Sequence, residues 1–87
     1  MSRKDKRFRR VMDADTISGI RFDDLRAMLR SCGFEERVRG SHHIFTRGDI
    51  AEILNLQPRP DGYAKQYQVV QVRDLFNRYR ITPGGKR

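Results

Sequence analysis

The sequence predicts an α+β domain: a three-stranded antiparallel meander carrying two helices on one face. Three observations lead there. Apolar residues recur at helical spacing in two separated segments, 22–32 and 67–80. Between them the period shifts to alternation, broken by the short turn signals Gly40-Ser41 and Gly48-Asp49. Two apolar stripes and one half-apolar sheet can cover each other only if both helices share one sheet face, which leaves the other face open.

Taken in chain order, a short additional helix is read from Arg3 to about Met12, with Phe8, Val11 and Met12 on one side. Asp13 to Gly19 reads as a connector. The clearest element follows: Phe22, Leu25, Met28, Leu29 and Cys32 make one stripe, and Asp23 and Asp24 favour the positive end of the helix dipole. Gly33 is placed as the residue after the C-cap, with Phe34 closing back on Leu29 in a Schellman arrangement. The helix is therefore expected from about Phe22 to Cys32.

Phe34, Glu36 and Val38 alternate with Glu35, Arg37 and Arg39, as in a half-buried strand. His42 to Arg47 forms the second strand and Ile50 to Gln57 the third, limited by Pro58. After a polar loop, Val69, Val72, Leu75, Phe76 and Tyr79 line one face of a helix from about Tyr67 to Arg80. Pro83-Gly84-Gly85 ends it. Three segments result: a basic N-terminal arm over 1–20, a domain over 21–82 and a flexible tail over 83–87.

At 87 residues there is room for one modest core. No apolar run approaches the roughly 20 residues a membrane helix needs, and the basic N-terminus lacks the apolar stretch of a secretory signal. A cytoplasmic protein is expected, without a membrane partner. Cys32 is the single cysteine and, inside an apolar stripe, reads as a small hydrophobe. The formal net charge is +8. Residues 1–10 carry +5 of it, residues 11–36 sum to −3, and residues 37–82 sum to +4. A polyanion partner fits this excess; a solubilising tail fits its terminal share.

Both histidines stand together in Gly40-Ser41-His42-His43-Ile44-Phe45, within the positive half. Histidine titrates nearest neutral pH and can move protons in an ordinary environment. Adjacent strand residues point to opposite faces, so the pair does not readily chelate one ion. No Cys, His or carboxylate cluster has ligand spacing, and neither metal nor cofactor is expected. If Ile44 faces the core, His42 shares that side, and His43 points to the open face with Phe45 and Arg47. There, with Arg37 and Arg39 on the neighbouring strand, His43 would suit phosphodiester chemistry, taking or giving a proton while arginines neutralise phosphate. Phe45 could stack an unpaired base. Gly40 permits close approach of a backbone, and Ser41 offers a hydroxyl and an N–H. Arg37 and Arg39 would equally serve to solvate an exposed strand.

The run from Gly40 to Phe45 resembles the G-S-x-H signature of the HicA toxins, small ribonucleases of bacterial and archaeal toxin–antitoxin pairs. The likeness extends to Phe22-Asp23-Asp24-Leu25, to Cys32-Gly33-Phe34 and to the segment from Tyr67 to Arg73, covering roughly Ile20 to Ile81. It implies a double-stranded-RNA-binding-like α-β-β-β-α fold, cytoplasmic mRNA cleavage without a metal, and silencing by a HicB-like antitoxin protein. The histidine of the signature falls on His43. His42 fills its variable position, leaving it, like Ser41, a supporting role. RNA contacts are expected from Arg37, Arg39, Gly40, Phe45, Arg47, Lys65 and Arg73, Lys65 lying before the positive end of the last helix. A module of the same fold that binds RNA or protein without turnover, a degenerate toxin, is the alternative.

Overall fold

A computed structural model describes residues 3–83 apart from 14 and 17. The elements run α1 (Arg3–Met12), α2 (Phe22–Ser31), β1 (Glu35–Arg39), β2 (His42–Arg47), β3 (Ile50–Leu56) and α3 (Gln66–Tyr79). The sheet is antiparallel in the order β1-β2-β3. The α-β-β-β-α order and the additional helix in front of it match the expectation. Residues 84–87 of the expected tail lie outside the described residues.

The exit from α2 is a Schellman turn. Gly33 takes φ 92°, its N–H donates to Arg30, and the N–H of Phe34 reaches back to the carbonyl of Leu29. This delivers the chain directly into β1. Gly40, at φ 58°, makes the turn that returns it as β2.

The core lies between the sheet and the helices. Leu25, Met28 and Leu29 of α2 and Val69, Val72 and Phe76 of α3 are buried against Phe45, Leu54 and Leu56 of the sheet. The first helix belongs to the same core. Val11 is fully buried, Phe8 and Met12 pack beside it, and the rings of Phe8 and Phe76 lie 6.2 Å apart. The basic arm is thus a third helix laid over α2 and α3.

One assignment of faces is corrected. In β2 the core takes Phe45, which is fully buried, and Ile44 is only partly covered. Register explains the choice: Phe45 pairs with Leu54 and Glu36, whereas Ile44 pairs with Asn55 and Arg37. Alternation then sends His43 to the helix-covered side and His42 to the open side.

Candidate active site

His43 is the second residue of β2, paired with Val38 on one side and Leu56 on the other. Its side chain keeps only 14% of its surface exposed. Phe22, the first residue of α2, packs against the imidazole edge to face, with ring centres 4.9 Å apart. The ring is therefore held at the rim of the core rather than presented on the open sheet.

What orients it is a carboxylate that sequence reasoning did not select. Glu36 on β1 brings Oε2 within 2.7 Å of His43 Nδ1. The same carboxylate receives Arg26 of α2 through two bonds, Nε at 2.6 Å and Nη2 at 3.2 Å, and Arg30 one turn later at 3.3 Å. Burial alone would push the Glu36 carboxyl up. The bonds from Arg26, His43 and Arg30 reverse that and bring it from its ordinary 4.5 down to about 2.

An ionised carboxylate only accepts hydrogen bonds, so the contact requires the proton to be on Nδ1. Nε2 is then the free ring nitrogen, and no described residue bonds to it. A carboxylate fixing one imidazole nitrogen so that the other can work is the arrangement of a positioned general base.

The neighbouring loops close that end of the molecule with polar contacts. Gln57, just after β3, donates its side-chain amide to Ser41 Oγ at 2.9 Å and its backbone N–H to Gln68 Oε1 at 3.2 Å. Gln68 lies in the first turn of α3, and Lys65 forms that helix's N-cap. The turn at Gly40-Ser41, the β3–α3 loop and the start of α3 are therefore tied together beside the strand end that carries His43. No Cβ at Gly40 would meet another atom, so its approach is open.

The remaining expected site residues divide in two. Arg37 and Arg39 are exposed on the open face, where with Ile44, Thr46 and Ile53 they line a shallow hollow of about 450 Å³. His42 is on that face too, Nδ1 at 3.1 Å from Asn55 Oδ1, so the sheet separates it from His43. The other three serve the fold. Phe45 is interior and cannot stack a base. Arg47 donates to the carbonyl of Cys32, binds Asp49 and covers the Phe34 ring. Arg73 is buried and donates to the carbonyls of Val11 and Thr16.

Glu36 and Arg73 left signals in the sequence. Glu36 shares its alternation with Phe34, and Arg26 and Arg30 are four apart on the helix before it. Arg73 is four residues after Val69 and three before Phe76, inside the apolar stripe of α3. Among the described residues no group of three or more His, Cys, Asp or Glu side chains is placed to hold a metal ion, and no helix is long and apolar enough to cross a membrane. Comparison with family models, curated proteins and solved structures returns no match.

Proposed function

We propose that this chain is an endoribonuclease toxin of the HicA kind, cleaving mRNA and silenced by a HicB-like antitoxin in the cytoplasm. The observation that carries the reading is the Glu36–His43 pair, which leaves Nε2 without a described partner on the strand that follows the Gly40-Ser41 turn. The resemblance of Gly40 to Phe45 to the G-S-x-H signature supports it by selecting the same histidine. Nε2 takes the proton of a ribose 2′-hydroxyl as its oxygen attacks the adjacent phosphorus. The bond from phosphorus to the 5′-oxygen breaks, and water protonates the departing oxygen. The products are a 2′,3′-cyclic phosphate and a 5′-hydroxyl. The step uses the chain's own groups and, as the resemblance implies, no metal.

Lys65, the N-cap of α3, is the cation of the expected set that the fold leaves to phosphate near this end, while Arg39 lies at the same strand end but on the open face, across the sheet from His43. Among the described residues neither has an ion-pair partner.

A second reading draws on the same burial. A histidine so covered, bonded to a carboxylate already held by two arginines, also serves as a structural clasp, and the domain would then bind without turnover. Induction in a bacterial host and incubation of the purified chain with RNA separate the two. The toxin arrests growth and leaves cyclic-phosphate ends; His43→Gln lowers cleavage by about 10²–10⁴-fold, and His42→Ala leaves it near wild type. Intact RNA after incubation with the wild-type chain, free of any antitoxin, would overturn the enzymatic reading.

A further inference from the structure

The helix at the N-terminus carries the densest positive charge in the chain, and the fold fixes which way it points. Phe8, Val11 and Met12 are turned into the core. At 100° per residue, Arg3, Lys6 and Arg10 fall on the side away from them and Arg9 at its edge, about 60° from Met12, and all four are exposed. A row at spacings of three places like charges one above another, which is unfavourable in an isolated helix. Folding alone gives no reason for the row.

Ion pairing elsewhere takes up part of the remaining positive charge, although Arg37, Arg39, Lys65 and Arg80 also have no ion-pair partner among the described residues. The arginines of α2 hold Glu36, and Arg47 at the end of β2, Arg59 in the β3–α3 loop and Arg78 in α3 hold carboxylates of their own. On α1, Arg7 pairs with Asp24 at 3.9 Å, and Arg10 donates to the carbonyl of Gly19. Arg3, Lys6 and Arg9 have no ion-pair partner among the described residues.

We infer that the outer face of α1 is a docking surface for the phosphate backbone of single-stranded RNA, separate from the His43 site. The choice of RNA rests on the ribonuclease reading above. The choice of a phosphate backbone over a lipid surface rests on the fold, because the apolar side of α1 is already spent on the core and has nothing to insert into a bilayer. A ten-residue helix is about 15 Å long, enough to follow several successive phosphates. The route to His43 is not blocked by like charge. Arg7 neutralises Asp24 and Arg26 neutralises Asp23 in the first turn of α2, next to the Phe22 ring that touches His43.

The experiment is binding of a fluorescent 20-nucleotide RNA to the His43→Gln chain, with and without Arg3→Gln, Lys6→Gln and Arg9→Gln together, across a salt series. The triple substitution removes like-charge contacts at exposed positions, so its thermal stability should equal or exceed that of the parent, which keeps a loss of binding from being a loss of fold. The expected result is a weaker complex whose slope of log K against log salt is smaller by about 2, at 0.7 per phosphate released. In the active chain, the triple variant should cleave a dinucleotide as the wild type does and a long RNA more slowly. An unchanged slope, no RNA binding by the parent, or a charge-dependent preference for phosphatidylserine vesicles over RNA would overturn the inference. Normal RNA binding with no cleavage of any substrate would instead sink the ribonuclease reading and leave this surface standing.

Discussion

Glu36 and His43 meet diagonally across β1 and β2. Glu36 is paired with Phe45 and His43 with Val38, and the carboxylate crosses one step of the ladder to reach Nδ1 at 2.7 Å. The geometry requires both residues on the helix-covered face, where Arg26 and Arg30 can also reach the carboxylate. Replacing Glu36 by Gln keeps the shape and removes the charge. Its amide oxygen would stay with Arg26 and its NH₂ would turn to Nδ1, forcing the proton onto Nε2. Cleavage should fall by about 10²-fold or more, as expected of a histidine held in the wrong tautomer. Nitrogen shifts of the His43 ring check this directly: Nδ1–H in the wild type, Nε2–H in Glu36→Gln. A loss of activity without the tautomer exchange would contradict the positioning role.

The same carboxylate should make folding acid-sensitive. Its folded value, about 2, lies below the ordinary 4.5, so the folded state binds its proton less readily than the unfolded chain. The stabilisation, on the order of 3 kcal/mol from that difference, is fully present above about pH 4.5 and is lost as pH falls through 2. Urea unfolding between pH 7 and pH 2 should show the decline in the wild type and a shallower one in Glu36→Gln. Equal slopes in the two chains would remove Glu36 from the account of acid lability.

Arg73 joins α3 to the end of α1. Its Nε donates to the carbonyl of Val11 at 2.5 Å and a second nitrogen to that of Thr16. Arg73→Met leaves two carbonyls without donors at a largely buried site, a loss of about 2–4 kcal/mol, or a Tm lower by roughly 10 °C or more in a domain this small. Because the guanidinium already serves these carbonyls, the salt slope of RNA binding should not change at temperatures where the variant is folded. A reduced slope with unchanged Tm would return Arg73 to the RNA surface.

The two neighbours in β2 give the sharpest test of which face is covered. Phe45→Ala empties an interior site and should cost about 3–5 kcal/mol. Ile44→Ala, at a half-exposed position on the open face, should cost under about 1.5 kcal/mol. Comparable losses from chemical denaturation would contradict the register Phe45 to Leu54.

That pair also shows where the sequence was legible and where it was not. Element order and boundaries were readable to within a residue or two, because local chemistry sets them. The Gly33-Phe34 exit is written in two residues, and so is the turn at Gly40-Ser41. The face of β2 was not readable, because Ile44 and Phe45 are both apolar and alternation alone cannot choose between them. The choice is made across the sheet, by the registers that set Phe45 against Leu54 and Ile44 against Asn55. His43 stays the candidate because the signature selects the residue, not the face. Its environment is different. The arginine-flanked open surface expected around it belongs to His42, and its actual partner is a glutamate seven residues earlier.

Cys32 offers a probe of the whole helix layer. The thiol is buried to 1% exposure, and burial pushes its pKa up more than the Ser31 hydrogen bond and the nearby Arg47 charge draw it down. The thiolate is the reacting form, so both accessibility and ionisation oppose modification of the native chain. A thiol reagent at neutral pH should label Cys32 at least ~10²-fold more slowly than in denaturant, with a rate set by the opening of α2 rather than by the reagent. Arg47→Ala removes the bond to the carbonyl of Cys32 and the cover over Phe34, loosening the Gly33 exit without touching the sulfur. Labelling should therefore quicken in that variant although a neighbouring positive charge, which would favour thiolate, has been lost. A slower rate in Arg47→Ala would show that charge, not opening, governs the reaction.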